Sequence, residues 1–244
     1  MNPIFVKRLR NVSSVGFILG MATAGYAYYL TRDPKPKTTG FTLYSTMSFT
    51  PDGSTQAQIT GSRVRYQRAD GSFKQVVTYF NPDGSVKKTS TLFGELGRGV
   101  YELSGDEKAL VFVSPMRAEI SQQSEADLRK LHDHQTLREE FLLGHKTLVA
   151  RILDGGDTAS YTELYHAVEL QGFQIKTVLV SKVGTTTIDP VKIEIGEPDK
   201  RSIGMPKLPV DYDRFELKIK AMEESGQGET AETLRQQLAD AKRQ

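Results

Sequence analysis

The chain contains 244 residues, with 32 Lys and Arg against 30 Asp and Glu, so its formal net charge is +2. This length is enough for one sizeable domain or two small ones, and it excludes a large multidomain enzyme. The chain has no cysteine, which excludes disulfides, Cys-ligated zinc, iron–sulfur clusters and thiol nucleophiles. A net charge so close to zero argues against a nucleic-acid partner.

The first 38 residues differ from the rest of the chain and predict a membrane segment. Residues 12–30 are apolar apart from a few hydroxyl side chains, and as a helix they span about 28 Å, close to the hydrocarbon thickness of a bilayer. Pro34 and Pro36 then end the helix. We expect a single-pass membrane anchor that leaves the bulk of the chain extracytoplasmic; the family resemblance given below implies that this membrane is the bacterial cell membrane and the compartment the periplasm. The alternative is a cleaved signal peptide and a secreted protein.

Small residues recur along this predicted membrane helix. Gly16, Gly20 and Ala24 are spaced four residues apart, and such a ridge lets two membrane helices approach closely. These three residues are therefore the candidate helix-packing face. Gly and Ala are also common in membrane helices that do not pair, and that alternative stays open. The flanks of the segment carry six basic side chains against Asp33, which favours contact with anionic lipids of the bilayer.

Residues 39–210 predict a sheet domain made of antiparallel hairpins. Three Asp-Gly pairs, at Asp52, Asp70 and Asp83, mark tight turns, because Asp and Gly tolerate the positive φ that hairpins require. Between these turns, polar and apolar residues alternate with the period of two that is typical of strands, most clearly at residues 63–67. About six strands are expected before residue 115 on this pattern.

One short helix and further strands are predicted next. The stretch Ser124-Glu125-Ala126-Asp127 is typical of a capping box at a helix start. Strands are predicted at residues 146–153, 173–180 and 191–195. Residues 161–170 fit either a helix or one face of a strand, and their position between strands favours a strand. His166 in this stretch is expected to be a hydrogen-bonded core histidine.

The last segment, residues 211–244, predicts helices. Tyr212, Phe215, Ile219 and Met222 fall on one helical face, and a second apolar stripe follows. Helices this short are marginal in isolation, so they either pack on the protein's own sheet or bind a partner protein. The predicted fold class is mainly β (α+β): a curved antiparallel sheet or half-barrel with a short helix, an N-terminal transmembrane helix and C-terminal helices.

The sequence contains no catalytic or metal-binding signature. His132 and His134 flank an aspartate, but residues two apart on a helix point in different directions and no further ligand completes a site. The chain also lacks a P-loop, a Gly-x-Ser-x-Gly elbow and a His-Glu-x-x-His motif. We therefore expect a protein that is not an enzyme, with no catalytic residues, no cofactor and no bound metal.

The order of these elements resembles the open, strongly curved single sheets of the LolA, LolB and LppX type of bacterial envelope carriers. The resemblance covers about residues 41–213. Its most recognisable stretch is residues 191–199 followed by residues 209–212, similar to the ending of many secreted bacterial proteins with this sheet. It implies a concave apolar face for acyl chains and names no catalytic residues. LolB and LppX are tethered by a lipidated cysteine, which this chain lacks, so a transmembrane anchor would replace that tether.

These observations predict a membrane-anchored domain that binds a lipid, a lipidated protein or another hydrophobic ligand in the hollow of its sheet. The candidate lining residues are large side chains on the predicted strands: Phe49, Val64, Tyr66, Val77, Tyr79 and Phe112. The same residues could instead form a filled core under the short helix. The alternative function is a structural or interaction subunit of a membrane complex that docks a protein partner through residues 211–244.

Overall fold

A computed structural model of the chain describes residues 39–95, 98–116, 125–131, 136–154 and 157–243. The predicted membrane segment, with Gly16, Gly20 and Ala24, lies outside these residues, as do His132 and His134. Across the described ranges, no helix is both long enough and apolar enough to cross a bilayer.

The described residues form one sheet of twelve strands together with short helices. The strands are β1 (Phe41–Pro51), β2 (Gln58–Gln67), β3 (Phe73–Phe80), β4 (Val86–Glu95), β5 (Gly99–Leu103), β6 (Leu110–Ser114), β7 (Thr136–Leu142), β8 (His145–Asp154), β9 (Asp157–Ala167), β10 (Phe173–Ser181), β11 (Gly184–Ile195) and β12 (Val210–Asp211). The helices are α1 (Glu125–Leu131), α2 (Lys200–Ile203), α3 (Asp213–Glu224) and α4 (Gly228–Lys242), and a 3-10 turn covers Val168–Leu170.

The sheet is a meander with the first strand at its centre. Its order is β12-β6-β5-β4-β3-β2-β1-β11-β10-β9-β8-β7, and its pairs are antiparallel except for β12, which runs parallel to β6. The Asp-Gly turns predicted from the sequence connect these hairpins, with φ at 89° for Gly71 and 83° for Gly84. The predicted mainly β class is therefore confirmed. The ambiguous stretch 161–170 is a strand to Ala167, followed by the 3-10 turn.

The outer face of strands β4 to β6 is covered by the C-terminal helices. Side chains alternate between the two faces of a strand, and on this face lie Phe93, Tyr101, Leu110 and Phe112. The helices bury Phe215, Ile219, Ala231, Leu238 and Ala241 against them. The Phe112 ring centroid lies 5.6 Å from that of Tyr101 and 5.0 Å from that of Phe215. The apolar stripes of residues 211–244 thus pack on the protein's own sheet.

The opposite face of strands β1 to β5 is the hollow face, because the sheet curls over it. Arg65 on β2 and Phe173 on β10 are separated by three strand spacings, about 14 Å along a flat sheet. Yet the Arg65 Cζ atom lies only 5.4 Å from the centre of the Phe173 ring. The Phe173 ring also meets the Phe41 ring on β1 edge to face, at 4.8 Å. A contact across that many strands requires strong curvature toward this side.

Short helix α1 packs at the far end of the sheet, against β7 and β8. Leu128 on α1 is fully buried. Lys146 on β8 donates a hydrogen bond to Glu125 at 2.9 Å, and Arg129 forms ion pairs with Glu125 and Glu139. His166 on β9 is buried, and its Nδ1 lies 2.9 Å from the carbonyl oxygen of Gly172. The predicted hydrogen-bonded core histidine is confirmed.

Candidate functional site

Arg65 is buried on the hollow face between aromatic rings and amide side chains. Its Cζ atom lies 3.5 Å from the centre of the Phe73 ring, a stacked cation–π contact. Its Nε and one terminal nitrogen donate to Gln67 Oε1 at 3.2 Å and 2.9 Å. Its other terminal nitrogen donates to Gln75 Oε1 at 3.4 Å. Gln67, Arg65 and Gln75 share one face because Arg65 pairs with Gln75 across β2 and β3.

Arg63 lies two residues before Arg65 on the same face, and its guanidinium has little hydrogen bonding. It sits between Ser45 of β1 and Val77 of β3 in the sheet register. One terminal nitrogen donates to the Ser45 hydroxyl at 3.3 Å. Its Nε is buried and has no hydrogen-bond partner in the described part of the chain. Burial, and then the positive charge of Arg65, lower the pKa of Arg63 to about 10.

Polar side chains of the neighbouring strands continue this surface. Ser90 on β4 is buried and donates to Glu102 Oε1 at 2.7 Å. Glu102 also accepts from Arg214 of α3 at 3.3 Å. Burial, followed by the charge of Glu102, raises the pKa of Tyr79 above its usual value. The hollow face therefore carries two arginines on its floor and one carboxylate that already has partners.

Burial on the hollow face falls steadily along β1. Phe41, Leu43 and Ser45 are buried, whereas Met47 and Phe49, further along the same alternation, are half-buried. Arg63 pairs with Ser45 and so lies at the boundary between the closed end and the more open end. The hollow is thus sealed by packed side chains at one end of the strand and accessible at the other.

Three exposed apolar side chains lie at the strand ends on the side of the open end. Ile59 next to the β1–β2 turn is 64% exposed, Val86 after the β3–β4 turn is 62% exposed, and Val183 in the β10–β11 turn is 72% exposed. The Val183 carbonyl accepts a hydrogen bond from the Asp52 amide at 3.1 Å, which joins two of these turns. In the strand register Ile59 pairs with Ser48 and Val86 with Phe80, so both of these side chains lie on the outer face.

The six candidate lining residues do not all lie together. Val77 and Tyr79 are on the hollow face beside Arg63, and the Phe49 ring lies at the open end, close to Gly184. Val64 and Tyr66 alternate with the two arginines and therefore lie on the outer face. Phe112 is also on the outer face, under α3 and α4.

Arg63 and Arg65 are the residues that sequence reasoning did not single out. The alternation at residues 63–67 correctly indicated two faces, but the apolar members, Val64 and Tyr66, were assigned to the hollow. The arginines take that place because the Asp70-Gly71 turn sets Gln67 opposite Phe73 and Arg65 opposite Gln75. In this register Arg63 and Arg65 share a face with the apolar residues Phe73 and Val77. That shared face was the one signal that could have placed the two arginines inside.

A second charged cluster lies in the other half of the sheet, around Glu163 of β9. Arg138 donates to both of its carboxylate oxygens at 2.8 Å and 2.9 Å, and Arg151 donates twice to Oε1 at 2.9 Å and 2.7 Å. The Tyr165 hydroxyl donates to Oε2 at 3.1 Å. These hydrogen bonds, with those of Arg138 the strongest cause, lower the pKa of Glu163 to about 2 against the opposing effect of burial. Both oxygen atoms of the Glu163 carboxylate accept hydrogen bonds from side chains of the sheet. We therefore assign this cluster a structural role.

Neither cluster has the geometry of a catalytic centre. Ser45 and Ser90 have arginine and carboxylate neighbours rather than a histidine base. In the part of the chain that the structure describes, no three His, Asp or Glu side chains are grouped so as to hold a metal ion. The hollow face presents guanidinium groups, aromatic rings and aliphatic side chains.

Comparison with solved structures finds matches of low sequence identity and low TM-score. A complex of MucA and MucB from Pseudomonas aeruginosa matches with 14% identity and a TM-score of 0.38, over 68% of this chain and 56% of that chain. A LolA superfamily protein from Nitrosomonas europaea matches with 8% identity and a TM-score of 0.33, over 75% of this chain and 97% of that chain. A beta-barrel-like protein from Brucella abortus matches with 8% identity and a TM-score of 0.31, over 67% of this chain and all of that chain.

These matches concern the fold and assign no residue a role. The chain spans less than two thirds of the MucB chains that it matches. No protein-family model matches the sequence, and no curated protein does. The fold is the curved antiparallel sheet that the order of elements predicted from the sequence.

Proposed function

We propose that this protein binds a lipid or lipid-modified ligand in the hollow of its sheet, without catalysing a reaction. It acts in the bacterial envelope, held at the membrane through residues 12–30. Its ligand enters at the open end of the hollow, between the turns that carry Ile59, Val86 and Val183, and its apolar part lies over Met47, Phe49 and Tyr79.

The observation that carries this proposal is the contrast in burial along the hollow face. Phe41 and Leu43 are sealed by contacts with β10, whereas Met47, Phe49 and Tyr79 keep part of their surface in contact with solvent. Large apolar side chains that stay half-buried on a curved face favour a ligand with a hydrocarbon chain. Each buried methylene of such a chain contributes about 0.8 kcal/mol, so burial of about ten methylenes supplies the roughly 8 kcal/mol of a micromolar affinity.

The alternative, a protein partner docked by residues 211–244, has less support. The apolar stripes of α3 and α4 already pack on Phe93, Tyr101 and Phe112 of the sheet. A partner would have to bind the polar side of these helices, where Leu217 is a large exposed apolar side chain.

Photo-crosslinking tests the proposal with the full chain in a nonionic detergent. The probe is the methyl ester of a fatty acid that carries a diazirine, which tests the apolar chain alone. We expect crosslinks to peptides that contain Phe49 or Tyr79. Phe49→Glu should abolish them, because it places a charge in the path of the hydrocarbon. The matched control is Phe141→Glu at a side chain on β7 that is 76% exposed, which should label like the wild type. Crosslinks that are equal in both variants would overturn the proposal.

A further inference from the structure

Arg63 has more hydrogen-bonding capacity than the protein itself uses. A guanidinium has five N–H donors in a planar fork, and among the described residues this one makes a single hydrogen bond, to Ser45 at 3.3 Å. Its Nε is buried without a partner. A buried donor that is left unsatisfied costs about 1–3 kcal/mol, and more when the group is charged. The described part of the protein therefore leaves the buried Nε of Arg63 without a hydrogen bond.

The charge of Arg63 is not neutralised by the described part of the protein. No described carboxylate oxygen lies within 4.0 Å of its guanidinium. The charged group that shifts the pKa of Arg63 is Arg65, which is also positive. Glu102 is the acidic side chain on the neighbouring surface, and it is occupied by Ser90 and Arg214. Two like charges on a partly desolvated floor create a positive potential that favours an anion.

Arg65 cannot turn toward such an anion, which leaves Arg63 as the binding group. The Arg65 guanidinium is stacked on Phe73 and donates to Gln67 and Gln75. Its contribution is a fixed charge two residues away, on the same face of the strand. Arg63 instead makes one hydrogen bond among the described residues and lies beside Val77, at the boundary of the half-buried part of the hollow.

We infer that Arg63 binds the negatively charged oxygen atoms of an acidic lipid, a carboxylate or a phosphate, at the inner end of the open hollow. This assignment rests on the function proposed above and names the class of ligand. The head group lies over Ser45 and Arg63, and the hydrocarbon chain runs past Met47 and Phe49 to the open end of the hollow. A guanidinium recognises both kinds of oxyanion in the same bidentate way, so the shared feature is the oxyanion on an apolar chain.

Comparing a fatty acid with its own methyl ester tests the inference, because the two differ only in the charge of the head group. Both probes carry a diazirine and are crosslinked to the full chain in nonionic detergent at pH 7.5. We expect half-maximal labelling by the acid at a concentration roughly ten- to hundredfold lower than by the ester, as for a charge-assisted hydrogen bond. Arg63→Met should remove this advantage and leave labelling by the ester unchanged. Arg63→Lys should restore part of it.

The matched control is Arg201→Met on α2, which removes the same charge from a side chain that is 92% exposed. We expect it to keep the full preference for the acid. A second readout confirms that Arg63→Met is folded: its circular dichroism spectrum and its labelling by the ester should equal those of the wild type.

The outcomes separate the inference from the proposed function. If neither probe labels the hollow, the proposed function fails and the inference fails with it. If the ester labels the hollow but Arg63→Met leaves the preference for the acid intact, the inference alone is overturned. Free acetate or inorganic phosphate at millimolar concentration should not displace the acid. Displacement by either would show that the site takes a free anion and would overturn the assignment to a lipid.

Discussion

The two halves of the sheet hold a charged side chain in opposite ways. In the β7–β9 half, the Glu163 side chain is 7% exposed and is bound by two arginines and a tyrosine. In the β1–β3 half, Arg63 has one serine as its hydrogen-bond partner among the described residues. The pKa values move accordingly. That of Glu163 falls because the partners favour its charged form, and that of Arg63 falls because burial disfavours its charged form.

This difference separates a charged group whose hydrogen bonds are satisfied within the protein from one whose hydrogen bonds are mostly unsatisfied there. A buried ion is compatible with stability only when its hydrogen bonds are satisfied, since its desolvation costs several kcal/mol. Glu163 meets that condition within the protein, and it joins β7, β8 and β9 through Arg138 and Arg151. Arg63 has one hydrogen-bond partner among the described residues, and we propose that a bound anion supplies the others. Substitutions at the two positions should change stability in opposite directions.

The largest effect is expected for Glu163→Gln. It leaves the Arg138 and Arg151 guanidinium groups without their shared carboxylate, and breaking a buried pair from one side costs about 3–5 kcal/mol. Because the two arginines are 35% and 40% exposed, we expect the lower end, about 3 kcal/mol, in the free energy of unfolding measured with urea. The control, Glu232→Gln on α4, removes a carboxylate that is 74% exposed and should cost less than about 0.5 kcal/mol. Equal losses would contradict the structural role of Glu163.

Acid should weaken the same half of the sheet. The pKa of Glu163 is lowered to about 2 from a reference of 4.5, so its contribution is complete above about pH 5 and is lost as the pH falls toward 2. After allowance for the solvent around its partners, we expect about 2 kcal/mol of stability to disappear over that range. Urea unfolding of wild type and Glu163→Gln at several pH values measures it. Parallel curves for the two proteins would show that Glu163 is not the group responsible.

The fold could be predicted well from the sequence because it depends on local signals. The Asp-Gly turns at Asp52, Asp70 and Asp83 determine where hairpins end, and the alternation between them identifies strands. The stripe of Phe215 and Ile219 likewise indicated helices with one apolar face. What covers that face, the outer side of β4 to β6, depends on contacts between residues more than 90 positions apart in the chain, such as Phe112 and Phe215, and no local pattern contains that information.

The site was harder to predict for a specific physical reason. A period of two shows that Val64 and Tyr66 share one face and that Arg63 and Arg65 share the other, but it does not show which face is inside. The rule that apolar side chains are buried points to Val64 and Tyr66, and it fails here. Arg65 is stabilised inside by Phe73, Phe173 and two glutamines, while Arg63 is retained there although nothing in the described chain neutralises it.

Arg63→Met should stabilise the protein in the absence of ligand, in contrast to Glu163→Gln. The substitution replaces a poorly satisfied buried charge by a flexible apolar side chain of similar length. We expect a gain of about 1 kcal/mol in the free energy of unfolding, together with loss of the preference for acidic lipid. Urea unfolding of delipidated protein measures the gain. A clear loss of stability would mean that Arg63 is already paired within the folded chain, and the comparison between the two charges would then fail.

The smallest effect is expected for Ser45→Ala, and it tests whether the single hydrogen bond of Arg63 matters. The bond is long, at 3.3 Å, so its removal should cost only about 0.5 kcal/mol in the wild type. In the Arg63→Met background the hydroxyl has no guanidinium to accept from, and the cost should fall to nearly zero. A double-mutant cycle on the urea unfolding free energies gives the difference. A coupling above about 2 kcal/mol would mean that Ser45 satisfies Arg63 much as Arg138 satisfies Glu163, and the guanidinium would then need no external anion.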